Sequence, residues 1–300
     1  MNDEVQVKSA EGYSLIELMV SILILLPIMG AAMSLFSVGV EQQASEQSSI
    51  EATQDARTGF ELMTVEIAQA GSHGDRSTVL SAAVGGSTGV QTIAVNSTAG
   101  ITAGDFVEVD TGANLETIQI TAVTSTTLSG IFRTSHPQNT PLRLFALPYL
   151  TGIIPPAGMA ANSIADVTTL RFFGDINGDS TIQYVEYNYD AGNNQITRSI
   201  TPITQANTNA ALPIVRNVQP NSVRFTLYTD DLGAVTSVDI ALTVQSTWQT
   251  VSQFQESQLS SRIVVPCAVA ASTLLNEIRV FGGVDRLPPT PSKVTTWTGL

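Results

Sequence analysis

Asp175, Asn177, Asp179 and Thr181 place oxygen-bearing side chains at alternate positions, and Glu186 follows. Counted from Asp175 they fill positions 1, 3, 5, 7 and 12, the spacing with which calcium loops surround a hard cation. The sixth position, where such a loop turns on glycine, is Ser180, while Gly178 stands at the fourth. Strand-forming residues follow where a calcium loop would lead into a helix. The stretch reads either as a calcium site or as a solvated acidic hairpin turn. Other chemistry has little to draw on. Cys267 is the only cysteine, which rules out an intrachain disulfide and argues against a Cys-based zinc site. His73 and His136 lack ligand spacing and read as two partly exposed histidines. No G-x-S-x-G, H-E-x-x-H, P-loop or paired-Cys motif occurs, so an enzyme is not expected.

A different carboxylate stands out by its setting. Glu17 opens the run YSLIELMVSILILLPIMGAAMSLFSVGV, residues 13–40, and the 23 residues from Leu18 to Val40 carry no charge. At ~1.5 Å per residue such a helix crosses a ~30 Å hydrocarbon core. A charged carboxylate costs about 2.5–3.5 kcal/mol at the centre of an inserted helix and less near an interface, so Glu17 asks for a partner. A cleaved secretory signal would need a basic start and a shorter apolar core. The leader MNDEVQVKSAEG has Asp3, Glu4 and Glu11 against Lys8 alone, although Gly30-Ala31-Ala32 mimics a signal peptidase site. A plain membrane anchor explains the length of the run but not Glu17.

Glu11-Gly12-Tyr13-Ser14-Leu15-Ile16-Glu17-Leu18 resembles the prepilin cleavage and methylation motif of type IV pilin-like proteins. In that motif a glycine precedes the cut and a glutamate is fifth in the mature chain. The resemblance implies that a prepilin peptidase cuts between Gly12 and Tyr13, and that the amino group of Tyr13 is then methylated. Glycine suits the cut because its bare backbone enters a tight active site. The resemblance also implies that Glu17 meets the cationic Tyr13 terminus of a neighbouring subunit in the filament core, where opposite charges attract strongly. Tyr13 replaces the usual phenylalanine, and the leader is acidic where the family's is basic. Pro27, with Gly30 close by, is expected to bend or locally melt the helix.

The helical pattern continues beyond the apolar run. Ala56, Phe60, Met63 and Ile67 form one stripe, and Gly71 is a fitting C-cap. Strands are expected over 92–95, 106–109, 117–123 and 142–144, then over 167–173, 181–189, 195–200, 222–228 and 237–244. Turns are expected at Asn177-Gly178, Ala191-Gly192-Asn193 and Asp230–Gly233. The stretch TIAVNSTAGITAGDFVEVDTGANLETIQITAVTSTTLSG resembles a small β-module of surface and phage-associated proteins. LRFFGDINGDSTIQYVEYNYDAGNNQITRSI and VRNVQPNSVRFTLYTDDLGAVTSVDIALTV resemble the C-terminal half of PilW-type minor pilins. The fold class expected is α+β: a long N-terminal transmembrane helix packed on an antiparallel sheet head, with an inserted β-module. The divisions are a leader 1–12, a helix 13–71 with its membrane half at 13–40, a linker 72–84, the module 85–145, the head 146–265 and a tail 266–300. The apolar run 263–275 is too short to span a bilayer and reads as a strand or edge. The prolines at 288, 289 and 291 suggest an extended end.

The formal net charge of -13 and the absence of a basic stripe argue against nucleic acid binding. The resemblance implies a minor type IV pilin that helps initiate or cap a pilus. Its partners would be the prepilin peptidase, major and minor pilins, the inner-membrane assembly platform and the membrane. It would reside in the bacterial inner membrane with a periplasmic head before joining the filament. A minor pseudopilin of type II secretion and a membrane-tethered adhesin remain alternatives.

Overall fold

The computed structural model describes residues 14–205, 207–246 and 256–266. The expected cut at Gly12–Tyr13, Cys267 and the proline-rich end lie outside them. The chain divides into two units, one taking in the helix up to Ile50 and the other beginning at Glu51.

Helix α1 spans Leu15–Ala68 and runs unbroken through Pro27, against the expectation of local melting. Proline removes one backbone bond, whereas stopping the helix there would free several polar groups within an apolar stretch. In the first unit the side chains of the apolar run face outward: Leu23 is 74% exposed, Leu35 75% and Phe36 70%. In the second unit the pattern reverses. Ala56, Met63, Ile67 and Ala70 are fully buried, and Phe60 packs partly against the same core. Gly71 takes a left-handed φ of +77° and donates its N–H to the Phe173 carbonyl at 2.9 Å.

The module comes next. It consists of β1 (Ser77–Val79), β2 (Gln91–Ala94), β3 (Phe106–Val109), β4 (Glu116–Gln119), β5 (Ala122–Val123), β6 (Thr127–Gly130) and β7 (Pro141–Ala146). They form one antiparallel sheet in the order β1-β7-β3-β4 and another in the order β2-β6-β5. Leu80, Val107, Val109, Leu128, Phe132 and Leu142 fill the space between them without exposure. The stretch 72–84, read as a linker, thus holds a strand of this module. The single strand expected over 117–123 is two strands in different sheets. Between them Ile120 donates its N–H to the Asp105 carbonyl at 2.8 Å and accepts one from Gly104 at 2.7 Å, and this turns the chain.

The remaining strands are β8 (Ile164–Val167), β9 (Thr169–Gly174), β10 (Gln183–Asp190), β11 (Gln195–Pro202), β12 (Leu212–Val215), β13 (Arg224–Thr229), β14 (Val235–Gln245) and β15 (Glu256–Val264). They make two four-stranded antiparallel sheets, ordered β12-β11-β10-β9 and β15-β14-β13-β8, rather than the single main sheet expected. The expected strand over 167–173 is divided between these sheets. Val238, Ile240, Leu242 and Val244 alternate inward along β14, as the period of two requires. They share one core with Phe172, Val185, Tyr187 and Ile196 of the other sheet and with the α1 stripe. Leu144 and Leu147 of the module's exit pack with Phe173, Ile182 and Tyr184, on a second, smaller core.

Two contacts fix α1 on its sheet. Gly59 lies against β12 so closely that a Cβ there would sit 2.7 Å from the Ile214 carbonyl oxygen. Glu66, only 5% exposed, receives the guanidinium of Arg198, with Nε at 2.9 Å, and the hydroxyl of Tyr187. Tyr187 and Arg198 are partners across the β10–β11 register, so one cross-strand pair presents both donors to the helix. Burial, and then the Glu66 charge, push the Tyr187 phenol well above its ordinary value, which keeps it a donor. Removing one member of a buried ion pair strands the other, at a cost of ~3–5 kcal/mol. Glu66→Ala is expected to lower stability by about that amount in denaturation of the detergent-solubilised chain. The double variant with Arg198→Ala should lose less than the sum of the two single losses, and strict additivity would show that the pair is not coupled.

Candidate functional site

The first turn of α1 answers the question raised by Glu17. Ser14 donates its backbone N–H to Glu17 Oε2 at 3.2 Å, the reciprocal half of a capping box. The first N–H groups of any helix lack helical partners, and the helix dipole is positive at that end. The carboxylate at the head of an apolar run is therefore engaged by its own helix. Sequence reasoning passed over this, although Ser-x-x-Glu ahead of an apolar run is a legible signal. Beyond it, α1 is long and apolar enough to cross a membrane. Gly12 and Tyr13, the other two residues of the motif, are outside the described residues.

The five oxygen-bearing residues at 175–186 do not converge. Asp175 accepts the N–H groups of Asp179 at 3.1 Å and Ser180 at 2.8 Å, and Asp179 accepts that of Thr181 at 2.7 Å. Gly178 and Ser180 both take left-handed φ values, +68° and +64°, and so bend the loop towards its own carboxylates. Asn177 is exposed at the tip. Glu186 lies on β10 opposite Arg171 of β9 and accepts its Nε–H at 2.9 Å and the Tyr184 hydroxyl at 2.8 Å. Strand pairing thus commits Glu186 to Arg171, and the loop's own N–H groups commit Asp175. Among the described residues no group of three or more His, Cys, Asp or Glu side chains could hold a metal ion.

The histidines also need correcting. His73 is partly exposed as expected, but His136 is completely buried. Its Nδ1 lies 3.2 Å from Asp110 Oδ2, and its Nε2 lies 3.0 Å from Glu116 Oε2 and 2.9 Å from Thr134 Oγ1. The order Asp–His–Thr mimics a nucleophile and its base. Glu116 breaks that likeness. It accepts the N–H of Arg133 at 2.5 Å and both the N–H at 3.2 Å and the hydroxyl at 2.7 Å of Thr134. The threonine proton is thus directed at a carboxylate rather than at the ring. The cluster is a clip joining the turn after β3, the start of β4 and the segment after β6. Its members are far apart in sequence, so no spacing announces it.

No family model, curated protein or solved structure matches this chain.

The clip carries a pH signature. The hydrogen bond from His136, followed by that of the Thr111 N–H, holds Asp110 below its ordinary value. Burial pushes Glu116 up, but the bonds from Thr134, Arg133 and His136 outweigh it and leave Glu116 lowered as well. A carboxylate lowered by folding stabilises the fold above its unfolded pKa, and that contribution is lost as pH falls. The melting temperature should therefore drop between about pH 5 and about pH 3, and Glu116→Gln should make the drop shallower. Identical slopes in the two proteins would show that the clip does not titrate with folding.

Proposed function

We propose that the chain is a minor type IV pilin: a structural subunit that enters the bacterial inner membrane, is trimmed after Gly12 and joins a pilus through α1. The observation that carries this reading is the junction of Gly12 and Glu17 with an outward-facing apolar helix that begins at once, at Leu15. A solvated apolar face of this length needs lipid or other helices around it. Glu17 gives that packing a register, since its carboxylate can pass from the Ser14 N–H to the cationic N-terminus of an adjacent subunit. Before assembly the second unit lies on the periplasmic side. The partners are the prepilin peptidase, the major and minor pilins and the assembly platform. The role is structural, and the acidic chain has no part in gripping nucleic acid.

Co-expression with a prepilin peptidase tests it. The mature chain should lose residues 1–12 and gain one methyl group at Tyr13, read by intact mass, and Gly12→Ala should stay full length. Glu17→Ala should still be processed and inserted but should be missing from sheared filaments. An uncut wild-type chain, or normal incorporation of Glu17→Ala, would overturn the proposal.

A further inference from the structure

The module holds another buried carboxylate, one with no part in assembly through α1. Asp105, just ahead of β3, has no exposure to water. Its Oδ2 accepts the Thr102 N–H at 2.6 Å and the Thr102 hydroxyl at 3.2 Å, whereas its Oδ1 has no hydrogen-bond partner. Arg76, just ahead of β1, is near enough to act on Asp105 through its charge, yet its Nε has no partner either. No ion pair joins the two among the described residues. The guanidinium lies instead on Gly100, where it occupies the place a Cβ would take, and Gly100 has a left-handed φ of +76°. A guanidinium whose charge is felt by a nearby carboxylate gains by pairing with it when both are charged, because a buried charge without a counter-ion is costly. The unused Asp105 Oδ1 and the unused Arg76 Nε, both buried, leave the pair unmade.

We infer that Arg76 and Asp105 are the two halves of a proton-operated switch in the module. With Asp105 protonated, the guanidinium rests on Gly100. When Asp105 gives its proton to solvent, the carboxylate draws the guanidinium off that seat into an ion pair through Oδ1. The 97–104 loop, which rests against Arg76 at Gly100 and is tied to Asp105 through Thr102, shifts with it. Arg76 is the charged group that faces Asp105; Thr102 and, on β4, Gln119, whose amide reaches the Gly104 carbonyl at 3.4 Å, are neutral. Burial raises Asp105 to about 7, against the opposing pull of the Thr102 bonds and Arg76, so the switch is set near neutrality. A carboxyl raised by folding favours the folded state most at low pH, and this contribution is lost as pH rises from about 4 to about 7. The sign is opposite to that of Asp110 and Glu116.

The test uses the full chain in detergent micelles with arginine labelled in ¹⁵N, followed from about pH 5.5 to about pH 8.5. The Arg76 Nε–H resonance, identified by its loss in Arg76→Lys, should shift with a midpoint near neutrality. In Asp105→Asn, which cannot ionise, it should stay fixed, and the melting temperature should fall less over the same range than in the wild type. A wild-type resonance that does not move, or one that moves alike in Asp105→Asn, overturns the switch. The wild-type titration alone decides if the variant fails to fold.

Discussion

A carboxylate drawn into an apolar core has to find its counter-charge there, and Glu66 does so in a way that places everything around it. The apolar stripe of Ala56, Met63 and Ile67 would accept the sheet at more than one height along α1, since small and flexible side chains repack when slid by a turn. The ion pair would not, because a slide parts Arg198 from Glu66 and leaves the buried carboxylate without its counter-charge. Once that height is fixed, Gly59 falls where β12 comes closest and Gly71 where Phe173 can accept its N–H. Hydrophobic burial supplies the driving force for this packing, and the charge pair chooses one arrangement from several.

The buried and half-buried carboxylates of the second unit meet the same problem in three ways. Glu66 is met by a guanidinium and a phenol on adjacent strands. Glu116 is met mostly by backbone and hydroxyl donors of a single turn, with His136 completing the set. Asp105 is met on one oxygen only. The arrangement around Glu116 favours the ionised form and so holds its elements together at neutral pH, whereas that around Asp105 favours the neutral form. A rigid clip and a movable corner thus sit in one small module, separated by how many donors the backbone happens to aim at each carboxylate.

Much of this architecture is written in local patterns. The stripe on α1 and the strands near 106–109, 181–189, 195–200 and 237–244 follow from period and residue type, and the three acidic or Gly-Asn turns lie where punctuation puts them. Expectation and structure part where tertiary pairing decides. Nothing in the run of β-formers at 117–123 or 167–173 marks the residue at which the chain leaves one sheet for another. Strands β12, with Pro213, and β15, rich in Ser, Gln and Glu, lie on sheet edges where one side is solvated, so they lack the apolar alternation that flags a strand. The same holds for side-chain sites. The contact between Ser14 and Glu17 is local and legible, whereas Asp110, Glu116 and His136 meet only through sheet pairing. The acidic hairpin turn, one of the two readings its spacing allowed, uses the carboxylates of Asp175 and Asp179 to close itself.

Strands β1 and β7 pair directly, with Ser77 opposite Arg143 and Val79 opposite Pro141. The chain thus enters and leaves the module through hydrogen-bonded neighbours, about 4.8 Å apart. From the side of α1 and the two larger sheets, everything between those strands is a long excursion that returns to its starting point. Such a doorway is a graft point. A change of length between those strands leaves the positions of the two doorposts on the rest of the chain unaltered.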